Sequence, residues 1–82
     1  MKIGEKLQKL LNKKYEPNQM RSQKFERYDI SFKTDQDGNP VVLFIGVAGK
    51  DGRINGNRFV RVMIRNSEGE IIKDHWDAKG KV

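Results

Sequence analysis

Cysteine is absent from this chain, which excludes disulfides and thiolate metal sites and leaves nothing that points to an oxidising compartment. Long apolar runs are also missing. The longest, Val41 to Gly49, is too short to span a bilayer, and the opening MKIGEKLQKLLNKK is too polar for the hydrophobic segment of a signal peptide. The expectation is a cytoplasmic protein with no membrane partner. Apolar residues are scarce at 35%, against 34% charged, so little material remains beyond a thin core. With 82 residues the chain makes one small domain that buries roughly 60–65% of its unfolded surface, enough for one layer of helix on one sheet.

Signatures of chemistry are missing as well. The stretch GVAGKDGRINGN (46–57) is rich in glycine, yet a phosphate-binding loop requires Ser or Thr after Gly49-Lys50, where Asp51 stands, and a glycine where Phe44 stands. A dinucleotide fingerprint requires G-x-G and a following helix, whereas RFVRVMIR (58–65) is strand-like. DQDGN and DGRING resemble fragments of calcium loops, but the bidentate Glu is replaced by Gly46 counted from Asp35 and by Val62 counted from Asp51. The single histidine, His75 in KDHWD, has carboxylates beside it, but Ser22, Ser31 and Ser67 lie in no nucleophile elbow. No catalytic residue, metal ligand, cofactor or small-molecule substrate is expected, and the chain is not read as an enzyme.

What is present is a change of period. Ile3, Leu7, Leu10 and Leu11 form one stripe of an amphipathic helix over 1–16, which Pro17 ends. Residues 17–24 read as a loop. A β-meander then fills 25–76: Tyr28, Ile30 and Phe32 alternate with polar residues, VVLFIGV (41–47) is apolar on both parities as in a central strand, RFVRVMIR follows, and EIIKDHW (70–76) is a weaker fourth strand. Glycines after polar residues at Gly38, Gly52, Gly69 and Gly80 mark hairpin turns. A second possible turn lies at Asn55-Gly56. Residues 77–82 are left as a C-terminal turn or tail. The predicted fold is α+β, an N-terminal helix packed on a four-stranded, mostly antiparallel β-meander.

The closing EGEIIKDHWDAKGKV resembles one unit of the YD repeats of RHS-type proteins through Trp76, Asp77 and Gly80, with Trp in place of the usual Tyr. The resemblance spans some fifteen residues and implies a turn at Gly80, no more. Trp76 itself is expected to anchor one end of the core.

Charge points to a partner. Seventeen Lys and Arg against eleven Asp and Glu give +6, the footprint of a chain that meets phosphate or another acidic surface. Lys2, Lys6, Lys9 and Lys13 form a column on the helix. On the sheet, placing Tyr28, Ile30, Phe32, Val60, Val62 and Ile64 under the helix leaves Phe25, Arg27, Lys33, Phe59, Arg61, Met63 and Arg65 on the opposite face, with one parity of the central strand, either Val42 and Phe44 or the set with Leu43 and Ile45. Aromatics among arginines can stack bases and hold phosphates. The functional expectation is a basic, noncatalytic binding module for nucleic acid; the alternative is a protein-interaction or homodimerisation module using the same face.

Overall fold

Three glycines with positive φ, Gly38 (82°), Gly52 (85°) and Gly69 (83°), close three of the four connections between strands. Each donates its N–H to the carbonyl three residues back, on Asp35, Gly49 and Asn66, at 3.1 Å. A side-chain oxygen of Asp35 or Asn66 also accepts two backbone N–H groups within the same turn. These turns tie together the computed structural model, which describes residues 3–81: helix α1 (Glu5–Leu11) and strands β1 (Met20–Phe25), β2 (Tyr28–Thr34), β3 (Pro40–Ala48), β4 (Ile54–Arg65) and β5 (Ile71–Lys81). All neighbours pair antiparallel in the order β1-β2-β3-β4-β5. The α+β meander is as expected, but the described residues form five strands rather than four.

The added strand is β1, within and just beyond the stretch 17–24 expected to be a loop. Its sequence, MRSQKF, carries no apolar alternation because an edge strand with one solvated face needs none. The join to β2 is a two-residue turn, Glu26-Arg27, in which Glu26 takes φ 55° without being glycine. At the other end, Gly80 (φ 89°) makes no turn. It lies inside β5 at a bulge, where residues 79 and 80 oppose Arg58, and the strand runs on to Lys81 through the expected tail.

The helix is shorter than its periodicity promised, ending at the Asn12 cap well before Pro17. Leu7 and Leu11 are buried against Ile30, Phe32, Leu43, Ile45 and Phe59, with Leu10, Tyr15 and Trp76 packed at the margin. Helix-terminal carbonyls need outside donors. The Tyr15 hydroxyl donates to the Leu10 carbonyl at 2.8 Å, and Arg61 Nη1 donates to that of Leu11 at 3.3 Å. The Tyr15 ring packs on Phe32 with centroids 4.9 Å apart, so the chain leaving the helix is pinned to the sheet.

Strand β4 reverses the expected parity. Phe59 pairs with the buried Leu43 and is itself 3% exposed, so Phe59, Arg61 and Met63 face the helix side, while Val60, Val62 and Ile64 face away. Phe25 also packs against the core instead of lying on the opposite face. The expectation kept arginine out of the interior because an unpaired buried charge is prohibitive. Arg61 is buried but not unpaired: Nε and Nη2 donate to the two oxygens of Asp74 at 2.7 Å, Nη1 reaches the carbonyls of Leu11 and Pro40, and the guanidinium lies 5.8 Å from the Trp76 ring centre. With that charge satisfied, burying the phenyl ring of Phe59 in place of Val60 becomes the better use of the core.

One further feature shapes the sheet. Gly46 and Gly56 face each other across β3 and β4, and a Cβ on Gly46 would run into the Asn55 carbonyl oxygen. Only glycines permit this approach. Beyond the pair, the hairpin tip curls across the face away from the helix, where Ile54 is 9% exposed. The Asp29 carboxylate accepts the Ala48 N–H at 2.8 Å and fixes the curl.

Candidate functional site

Most carboxylates of the sheet and its turns are consumed internally. Asp29 holds Lys24 at 2.9 Å as well as the Ala48 N–H, and these contacts, the backbone donor foremost, keep its carboxyl below the usual carboxylate range. Asp74 is likewise held low, chiefly by its hydrogen bonds from Arg61. Asp35 caps its own turn, Asp51 accepts the Arg53 N–H, and Asp77 meets His75 at 3.1 Å. The basic side chains are spent less completely, which leaves the surface field positive.

The expected site residues separate accordingly. Lys2 lies outside the described residues. Lys6 and Lys9 are exposed on α1, whereas Lys13 lies past its end, so the lysine column is two residues of described helix and one of loop. Arg27 sits in the β1–β2 turn, its guanidinium 5.2 Å from the Tyr28 ring centre and donating to the Tyr28 hydroxyl, which holds it still more firmly charged. Lys33 is exposed on the face away from the helix, as expected. Arg65 donates to the Gly69 carbonyl and lies 3.9 Å from Asp37. Phe25, Phe59, Arg61 and Met63 are on the helix side, so the predicted group is not brought together.

A different group is. Across the open face, Ser31, Phe44 and Arg58 form one cross-strand row, and Lys33, Val42 and Val60 form the next. Phe44 thus has Arg58 directly beside it and Lys33 on the diagonal, within reach of long side chains. Parity carries the signal for Arg58: once Phe59 goes inward, its neighbour must come out. The Val42 and Phe44 set, one of two left open by the sequence, is the one that surfaces.

Beside this row the curled hairpin makes a groove of about 520 Å³, with Met20, Ser22, Ser31 and Phe44 of the sheet as its floor and Arg53 and Ile54 of the tip completing the lining. None of the residues lining it is acidic. Ser22 Oγ donates to Ser31 Oγ at 3.1 Å. On the helix side, a smaller cleft of about 420 Å³ includes Gln8, Asp74, His75 and Trp76; the Trp76 indole N–H is buried there without an acceptor among the described residues. His75 bonds to Asp77 and has no serine or cysteine nucleophile set against it among the described residues.

No group of three or more potential ligands is arranged for a metal ion among the described residues, and no helix there is long and apolar enough to cross a membrane. No family model matches the chain, and neither a curated protein nor a solved structure matches it.

Proposed function

We propose that this protein is a noncatalytic nucleic-acid-binding module whose contact surface is the open face of the sheet around Phe44. The observation that carries the reading is the row in which Phe44 stands beside Arg58 and diagonal to Lys33, next to a groove with no carboxylate in its lining. An aromatic ring among cations offers a nucleic acid a stacking surface together with phosphate contacts. Lys6 and Lys9 lie on the opposite side of the molecule and serve as long-range attraction.

The test is fluorescence anisotropy of labelled single-stranded and duplex oligonucleotides over a range of salt. Lys33, Arg53 and Arg58 engaging one phosphate each give a log–log slope of about −2 for a single strand. Failure to bind at about 50 mM salt, or binding indifferent to salt, overturns the reading.

A second reading, self-association through the same face, draws on one observation: Val42, Val60, Val62 and Ile64 form a continuous apolar strip there, with Ile64 43% exposed. Light scattering distinguishes it. A dimer that Val60→Glu dissociates, together with no oligonucleotide binding, favours this alternative.

A further inference from the structure

We infer that the groove beneath the β3–β4 hairpin tip receives one unpaired base of a single-stranded nucleic acid, with Phe44 as its stacking platform. This deepens the proposed function and rests on it. The groove is a built feature: the Gly46–Gly56 contact lets the two strands bend sharply, Asp29 anchors the bent strand through the Ala48 N–H, and Ile54 seats the tip.

Its chemistry fits an unpaired base better than a duplex. The floor offers one half-buried aromatic ring, Phe44, with the apolar side chain of Met20 also in the lining, so a flat ring has an apolar surface to lie on. The volume of about 520 Å³ is within the range of pockets that take small planar ligands, and too small for an intact duplex. One hydroxyl of the Ser22–Ser31 pair donates to the other, which leaves one proton free to donate and both oxygens able to accept; this adaptable pair meets a base edge without demanding one base. Arg53, whose side chain is 89% exposed and only 3.8 Å-paired with Asp51, stands at the mouth, and Arg58 flanks the floor. Those two guanidinium groups are placed for the phosphates on either side of the inserted nucleotide. A duplex keeps its base faces inside the stack and cannot use the floor.

The test compares anisotropy titrations of oligothymidine and oligouridine of about 12 nucleotides, and of a duplex of equal length, against wild type and Phe44→Leu. The leucine keeps the site apolar and removes only the ring face. The inference expects both single strands to bind more tightly than the duplex, and Phe44→Leu to weaken them about tenfold while leaving the salt slope unchanged. Intermolecular nuclear Overhauser contacts between Phe44 ring protons and base protons, read on the wild type, keep the test independent of how the variant folds. Equal binding of duplex and single strand, untouched by Phe44→Leu and without such contacts, overturns the inference while leaving the nucleic-acid reading standing. No binding of any oligonucleotide overturns both.

Discussion

Arg61 and Asp74 are joined by two hydrogen bonds of 2.7 Å, diagonally across β4 and β5, with the Arg61 side chain 6% exposed and that of Asp74 34% exposed. The asymmetry of exposure decides what each partner's loss costs. Asp74→Asn leaves a permanently charged guanidinium buried without an anionic partner, beside the Leu11 and Pro40 carbonyls and the Trp76 ring, whereas Arg61→Met leaves a carboxylate that water already reaches. Denaturant unfolding is expected to show Asp74→Asn destabilised by about 2–3 kcal/mol and Arg61→Met by less. Equal costs, or the reverse order, contradict the buried placement.

The same pair sets a pH dependence. Asp74 has a folded-state carboxyl held below its unfolded value, mainly by the hydrogen bonds from Arg61, and Asp29 is held below its own by the Ala48 N–H and then by Lys24. A depressed folded value means stability that is fully present above the unfolded carboxylate range, near pH 4, and lost as pH falls through the folded value. Urea midpoints measured between about pH 6 and pH 2 should fall more steeply for the wild type than for Asp74→Asn, which has already lost that contribution.

The meander was legible because turn glycines and period-two alternation are local properties, and Gly38, Gly52 and Gly69 occupy the turns they mark. The two halves of the site differ in this respect. The face of Lys33 is legible because Ile30 and Phe32 alternate cleanly with it. Strand β4 offered no such clarity: both parities of RFVRVMIR contain apolar and basic residues, and the choice turns on Asp74, thirteen residues away from Arg61. Long-range pairing of that kind is invisible to periodicity, so periodicity alone sends Arg61 to the wrong face. Strand β1 leaves no sequence signal for the opposite reason. Its pairing with β2 is made by backbone groups, which every sequence carries.

The Gly46–Gly56 contact makes a sharp prediction. Gly46→Ala forces a methyl group into the Asn55 carbonyl, so the hairpin must unbend or separate, and the variant should lose about 2 kcal/mol or more. Heteronuclear correlation spectra are expected to show the largest shift changes at Ala48 and Ile54. A variant that unfolds at the wild-type midpoint refutes the close approach.

Glu26 holds φ 55° in a two-residue turn, a conformation that costs a side-chain-bearing residue about 1–2 kcal/mol and glycine almost nothing. After the entropy that glycine itself adds to the unfolded chain, Glu26→Gly is expected to stabilise the protein by up to about 1 kcal/mol, a rise in Tm of a few degrees. A thermal melt that falls by the same amount shows that the turn does not have this geometry.

An amide chemical-shift map recorded while titrating a short oligothymidine locates directly the side of the sheet that meets a nucleic acid. The expected map has its largest changes at Lys33, Phe44, Arg53 and Arg58, fading towards α1. A map concentrated at Lys6, Lys9 and Lys13, with the Phe44 row unmoved, contradicts it.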